Sequence, residues 1–163
     1  MLIYIFDVDD TLIFHNKENH DYYNMETPDD LKNLLEQIPS DYNFIYTNGT
    51  YGHGDAVIKN MNLQGNITKI FARDTIPYKY PANMKPSFHS LAYVNQEIKK
   101  ITGESIHQCF FFDDMIKNLE TAKIFGWITI LIHPEFINYK NIPYIDYTFP
   151  NIYQALIYFL LIK

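Results

Sequence analysis

Apolar residues in this chain fall in short continuous runs separated by polar stretches with helical spacing. Leu2-Ile3-Tyr4-Ile5-Phe6 is the first run, and it breaks into Asp7-Val8-Asp9-Asp10-Thr11 before Leu12-Ile13-Phe14. A run without polar alternation predicts a central parallel strand covered on both faces. Asn43 to Tyr46, Ile70 to Ala72, His107 to Phe112 and Ile128 to Ile132 read as further strands, with a short one at Asp146 to Phe149. Thr27-Pro28-Asp29-Asp30 reads as a helix start, with Thr as N-cap and Pro at the first position. Leu31, Leu34, Leu35 and Ile38 supply its apolar face, and Pro39 ends it. Helices are also expected from about Asp55 to Asn62, from Pro86 to Ile101 with Gly103 closing it, and from Met115 to Phe125 with Gly126 as the stop. The run Ala155 to Ile162 predicts a terminal helix packed on the sheet. Residues 15–26 are polar and irregular, and 74–86, with Pro77, Pro81 and Pro86, read as an extended connection. Strands alternating with helices at these intervals predict an α/β fold, a Rossmann-like three-layer sandwich with a mainly parallel central sheet.

At 163 residues the chain is expected to form one domain, 1–163, with enough length to bury a full core. Its 14 Tyr and 12 Phe are read as bulky core and surface filling rather than a cofactor cage. A net charge of −6 argues against a long nucleic-acid footprint, which favours a basic face. The single cysteine, Cys109, excludes an intramolecular disulfide and fits a reducing compartment; inside Cys109-Phe110-Phe111-Phe112 it reads as a buried, inert thiol. The N-terminus lacks a basic region, and Asp7, Asp9 and Asp10 interrupt its apolar stretch, so no signal peptide is expected. Without an apolar run of eighteen residues no membrane span is expected, and the location predicted is cytoplasmic rather than secreted.

The chemistry concentrates where predicted strands end. Side chains two apart on an extended segment point the same way, so Asp7 and Asp9 should project together from the carboxyl end of the first strand. Open α/β sheets place their ligand sites there. Asp7, Asp9 and Asp10 repel one another unless a cation or a proton settles the charge, which implies a metal, a proton-sharing pair, or both. A solvated Asp-rich turn is the plainer alternative. Thr47-Asn48-Gly49 follows the second strand; its hydroxyl and backbone amides can hold phosphate oxygens, with Gly49 allowing close approach, or it is a routine turn. Lys85, just ahead of Pro86, can aim an ammonium at an anion or be a surface lysine. Asp113-Asp114 ends the fourth major strand, where oxygen ligands suit a hard cation and an expected phosphate suits Mg²⁺. Asp is also a good helix N-cap, and one of the pair can ligate while the other caps.

Taken in order, Asp7-Val8-Asp9-Asp10-Thr11, Thr47-Asn48, Lys85-Pro86 and Phe112-Asp113-Asp114 resemble the four motifs of the haloacid-dehalogenase-like (HAD-like) phosphohydrolases, over roughly residues 1–133. Within that superfamily the chain is similar to the pyrimidine 5′-nucleotidase-like group. Thr47-Asn48-Gly49-Thr50-Tyr51-Gly52-His53 resembles its Thr-Asn-Ala followed by His, and Asp113-Asp114-Met115-Ile116-Lys117-Asn118 its Asp-Asp-Ser stretch. Members of that group carry a helical cap between the first two motifs. Here only Leu12 to Tyr46 separate them, so the chain looks capless, similar in layout to the magnesium-dependent phosphatase-1 group.

The resemblance implies a Mg²⁺-dependent phosphatase acting through an aspartyl-phosphate. Asp7 would be the nucleophile and Asp9 the general acid and base. Mg²⁺ would be held by Asp7, the backbone carbonyl of Asp9, Asp113 and, through water, Asp114. Thr47, the Asn48 amide and Lys85 would bind the phosphoryl oxygens, while Thr11, Gly49 and Asn118 support them. The segment from 15 to 27 would form a flap, with His15, His20, Tyr22 and Tyr23 as ordinary loop residues or substrate contacts. His53 reads as a helix-start residue packing near the loop. The substrate expected is a small phosphate ester, a nucleotide among the candidates. The alternatives are a phosphoprotein, a nucleic-acid end phosphate, or a non-catalytic phosphate-binding or signalling module. A receiver-like domain shares an acidic cluster, a Thr and a Lys, but there Lys follows in a different order. A homo-oligomer walling the open site is compatible with the Tyr- and Phe-rich composition; no membrane partner is expected.

Overall fold

A computed structural model describes residues 1–15, 22–23, 28–103 and 107–162. Strand β1 (Leu2–Phe6) leads into a two-stranded antiparallel ribbon, β2 (Phe14–His15) with β3 (Tyr22–Tyr23), and then helix α1 (Pro28–Gln37). Next come β4 (Tyr42–Tyr46), α2 (Tyr51–Asn60), β5 (Lys69–Phe71), α3 (Phe88–Thr102) and β6 (Gln108–Asp113). The chain closes with α4 (Ile116–Ile124), β7 (Ile128–Ile132), a 3₁₀ turn (Phe136–Tyr139), β8 (Tyr147–Phe149) and α5 (Ile152–Leu161). Six strands form one parallel sheet in the order β5-β4-β1-β6-β7-β8.

β1 is therefore the central strand that its uninterrupted apolar run predicts. Ile3, Tyr4, Ile5 and Phe6 are each at most 2% exposed, and the pleat sends them alternately to the two faces. Tyr4 and Phe6 join Ile45, Phe112 and the apolar faces of α1, α2 and α5. Ile3 and Ile5 join Phe44, Phe111, Trp127 and the inner faces of α3 and α4. Much of the chain's aromatic content goes into these layers, with Phe6 and Phe112 stacked at 4.9 Å and Phe111 edge-on to Trp127 at 5.5 Å. Cys109 lies in the second layer, where burial pushes its thiol up to about 12 and keeps it protonated and inert.

The α/β class, the parallel sheet and the strand positions follow the sequence pattern, and Gly103 and Gly126 end their helices at positive φ (80° and 75°). Some boundaries move. α2 begins at Tyr51 rather than Asp55, because the Thr50 hydroxyl caps it by accepting from His53 N–H at 3.2 Å. α3 begins at Phe88 after Ser87, so Pro86 precedes the helix instead of opening it. Residues 74–86 form successive turns rather than an extended connection. The N-cap of α4 is Met115, not Asp113 or Asp114. Among the described residues no separate cap domain interrupts the α/β core. The ribbon takes up part of the expected flap; His20 and Thr27, and the side chains of His15, Tyr22 and Tyr23, lie outside the described residues. No helix among the described residues is long and apolar enough to cross a membrane.

One polar tie fastens the far edge of the sheet. The Asp146 carboxylate accepts from Lys123 Nζ (2.6 and 2.7 Å) and from Thr129 N–H (2.8 Å), joining α4, β7 and the approach to β8. Burial alone would raise Asp146, but Lys123 and the Thr129 donors more than offset it and hold the carboxyl below its usual range. Its contribution is therefore full above the unfolded value near 4 and is lost as pH falls through the lower folded value. Asp146→Asn should lower stability by about 1 kcal/mol at pH 7. Urea unfolding at pH 7 and at pH 3 checks this: the gap between the two proteins should narrow in acid.

Candidate active site

Parallel pairing converges the carboxylates at one end of the sheet. Phe6 lies opposite Phe112, and Asp7 N–H continues the ladder to Phe112 O at 2.9 Å, so Asp7 at the end of β1 comes beside Asp113 at the end of β6. Beyond Asp7 the chain turns sharply. The Val8 carbonyl accepts from the N–H groups of Thr11, Leu12 and Ile13, and Asp10 adopts a left-handed conformation (φ 59°), which Asp tolerates better than most residues. On the other side of β1, Phe6 pairs with Ile45, which sets the Thr47-Asn48-Gly49 turn next to Asp7 and Asp9.

Asp7, Asp9, Thr47, Asn48, Lys85 and Asp114 line one open cavity of about 200 Å³, together with Asp10, Met115 and Asn118. Asp113 stands just behind it, fully buried. The Lys85 ammonium sits between the carboxylates with its side chain 1% exposed, donating to Asp7 Oδ1 at 2.8 Å, Asp113 Oδ2 at 2.7 Å and the Tyr46 carbonyl at 2.8 Å. These acceptors match its three N–H donors. The Tyr46 and Phe111 rings lie 5.1 and 5.4 Å from Nζ. Burial would pull this ammonium down, but Asp113 and then Asp7 outweigh it and hold Lys85 above the usual lysine value. The surface-lysine alternative is thereby excluded.

Asn48 lines the cavity, and its side chain has a further task. Its side chain accepts from Lys85 N–H at 2.7 Å and donates to the Lys85 carbonyl at 2.9 Å, clamping the backbone that carries the ammonium. Thr47 is buried, and its hydroxyl accepts from Gly49 N–H at 3.0 Å. Gly49 matters for space rather than conformation. A Cβ there would lie 3.1 Å from the His53 ring and 3.3 Å from the Thr47 hydroxyl. Asn118 donates to both oxygens of Asp113 at 3.1 Å, and Met115 N–H reaches Asp113 Oδ1 at 2.7 Å. Thr11 makes only a long contact, 3.4 Å, to Asp7 Oδ2.

The cluster carries more negative charge than one ammonium balances. Asp7, Asp113 and Asp114 each offer a carboxylate oxygen, all within 4.8 Å of one another. Burial, then repulsion from Asp113 and Asp7, pushes Asp114 up to about 9; burial likewise raises Asp113, with Lys85 opposing. An all-oxygen, anionic set of this kind fits a hard divalent cation, which would settle the charge that a proton on Asp114 otherwise settles. His53 was undervalued by the sequence reading: its Nε2 lies 2.7 Å from Asp9 Oδ1. The resemblance of Thr47–His53 to a Thr-Asn-Ala followed by His is one signal for it, and the Thr50 helix cap, which sets His53 in the first turn of α2, is another.

Lys85→Met should leave Asp7 and Asp113 buried without their counter-charge and cost about 3–5 kcal/mol. Thermal melting checks this, and added Mg²⁺ should recover part of the loss in the variant if the carboxylates accept a cation.

No family model and no curated protein matches the chain. Its fold is similar to solved structures that share 16% sequence identity with it. The putative HAD-hydrolase YfnB from Bacillus subtilis, bound to magnesium, superimposes with a TM-score of 0.60 over 80% of this chain and 53% of that one. 3-Deoxy-D-manno-octulosonate 8-phosphate phosphatase from Moraxella catarrhalis, in complex with magnesium, phosphate and KDO, gives 0.57 over 99% of this chain and 86% of that one. The haloacid dehalogenase-like protein SP0104 from Streptococcus pneumoniae gives 0.53 over 79% and 58%. The chain thus spans little more than half the length of two of these neighbours. At this identity the likeness establishes the fold, a HAD-type α/β core.

Proposed function

We propose that this chain is a Mg²⁺-dependent phosphomonoesterase of the haloacid-dehalogenase type. The observation that carries this is the joining of an over-charged carboxylate cluster, a buried ammonium and the Thr47–Gly49 turn at one open cavity. Two of the structural neighbours are described as binding magnesium, and one of those is a phosphatase with phosphate bound.

Asp7 is the nucleophile in this mechanism. One carboxylate oxygen bonds phosphorus as the ester oxygen leaves, and Lys85, with a long contact from Thr11, holds the carboxylate so that little reorganisation is needed. Asp9 gives its proton to the departing oxygen. It then takes one from the water that attacks the aspartyl-phosphate, which frees Asp7 and phosphate. Thr47, the backbone N–H of Asn48 and Lys85 bind the phosphoryl oxygens. The Asn48 side chain is committed to Lys85, so only its backbone N–H serves, and a phosphoryl oxygen reaches Lys85 by replacing one of its three present acceptors. Asp7, Asp113, Asp114 and the Asp9 carbonyl would hold Mg²⁺, which when bound neutralises phosphoryl charge.

A cavity of about 200 Å³ holds a phosphoryl group and little more, so the rest of the substrate lies outside it. Exposed Met115 lines the cavity, and Tyr51, exposed two residues beyond Gly49, stands at the start of α2, which favours a substrate with a flat apolar ring, a nucleotide among them. The capless layout, like that of magnesium-dependent phosphatase-1, also admits a phosphate on a macromolecule, either a phosphoprotein or a nucleic-acid end.

Hydrolysis of p-nitrophenyl phosphate should require Mg²⁺, stop with EDTA, and fall by at least about 10³-fold in Asp7→Asn. Turnover that survives Asp7→Asn would refute the mechanism. A folded protein that binds Mg²⁺ without turnover would instead be a phosphate-binding module. A phosphate-release panel of nucleoside monophosphates, sugar phosphates, phosphopeptides and end-phosphorylated oligonucleotides separates small from large substrates.

A further inference from the structure

The contact between Asp9 and His53 is left over by the mechanism above. His53 lies in the first turn of α2, where its backbone N–H is tied to the Thr50 hydroxyl at 3.2 Å. The Gly49 turn closes on the ring edge, at 3.1 Å from where a Cβ would stand. The ring is thus confined, and its Nε2 lies 2.7 Å from Asp9 Oδ1. Each side chain is about one-third exposed, so the pair contributes little to stability as an ion pair. Its geometry is more informative. Oδ1 is taken by the imidazole, which leaves Oδ2, 3.9 Å from the same Cβ position, as the carboxyl oxygen of a residue that lines the cavity.

Resting on the phosphatase reading, we infer that His53 is a positioning residue for Asp9, donating from Nε2–H to Oδ1 so that Oδ2 is the oxygen that exchanges protons with the reacting groups. In the first half-reaction the proton on Oδ2 passes to the ester oxygen as the P–O bond breaks and the Asp7–P bond forms. In the second, water gives one of its own protons to Oδ2 while its oxygen bonds phosphorus and the Asp7–P bond breaks. The imidazole keeps its own hydrogen throughout. A carboxyl free to rotate about its last torsion would spend part of its time with neither oxygen aimed at the leaving group. Fixing one oxygen removes that freedom.

The leaving group tells this role apart from a purely structural one. Dinitrophenolate departs without a proton, whereas an alkoxide needs one. The constant to compare is kcat/KM, which covers the steps up to departure of the leaving group and not the later hydrolysis. With Mg²⁺ present, His53→Ala should lower kcat/KM for an alkyl phosphate by about 10–100-fold, and for 2,4-dinitrophenyl phosphate by less than about 3-fold. His53→Gln, which keeps a donor near the same place, should recover a substantial part of the alkyl loss. Equal losses on both esters, or a Gln variant no better than Ala, would overturn the inference; because Gln leaves the α2 turn its polar side chain, it stays informative if the Ala variant unfolds. Wild-type protein inert toward both esters would sink the phosphatase reading itself, and the inference with it. Wild-type turnover with no dependence on the leaving group in the variants sinks the His53 role alone.

Discussion

A buried ammonium is tolerated only where protein acceptors replace the water it has lost. For Lys85 those acceptors are Asp7, Asp113 and the Tyr46 carbonyl, contributed by the ends of β1, β6 and β4. Three adjacent strands of the sheet are therefore pinned at one point by one charge, and that point is the floor of the cavity. The dependence runs both ways. Asp7 and Asp113 are bearable side by side because Lys85 lies between them, and Lys85 is bearable because they flank it. Asn48 then holds the Lys85 backbone from both sides, so the turn after β4 is locked to the same charge. Further out, Asn118 and the Met115 N–H fix Asp113 from the start of α4. Few of these groups can move without exposing an uncompensated charge, and this is the kind of rigidity an electrostatic site requires.

The sequence made the backbone of this arrangement legible and left much of its wiring hidden. Unbroken apolar runs identified β1 and β6 because a strand covered on both faces has no polar side to show, and their ends located Asp7 and Asp113. Thr47 and Lys85 were legible as polar residues next to strand and helix boundaries. What failed was local. Gly52 and Gly54 made the start of α2 look like loop, although the Thr50 cap sets it at Tyr51. Pro86 looked like a first helical residue, yet Ser87 intervenes. The task of the Asn48 side chain was not legible either, since its partner is a backbone 37 residues away. No periodicity encodes a contact of that separation. The same holds for His53 and Asp9, 44 residues apart.

Openness is the other property that shapes the site. On the proposed function the cavity takes the phosphoryl group, and selectivity comes from what surrounds its mouth. Among the described residues that surrounding holds the exposed Met115 side chain, with exposed Tyr51 two residues beyond Gly49, and no second domain. Flat apolar side chains discriminate by stacking and by shape, not by a fixed set of hydrogen bonds. Such discrimination is broad, so a protein of this design sorts substrates by class more readily than by individual identity.

The position of β1 in the middle of the sheet also bears on how the chain is made. Its two neighbours are β4, about 40 residues later, and β6, more than 100 residues later. During synthesis at about 5–20 residues per second, Ile3 to Phe6 wait on the order of ten seconds before Phe111 and Phe112 can cover them. Through that interval the central strand has one bare edge, and Asp7 lacks the partner with which it shares Lys85. β6 and the residue after it then complete the carboxylate cluster, while α4, β7 and α5 have still to complete the core. A nascent chain stalled before Asp113 would be both sticky and inert, a natural target for chaperone capture.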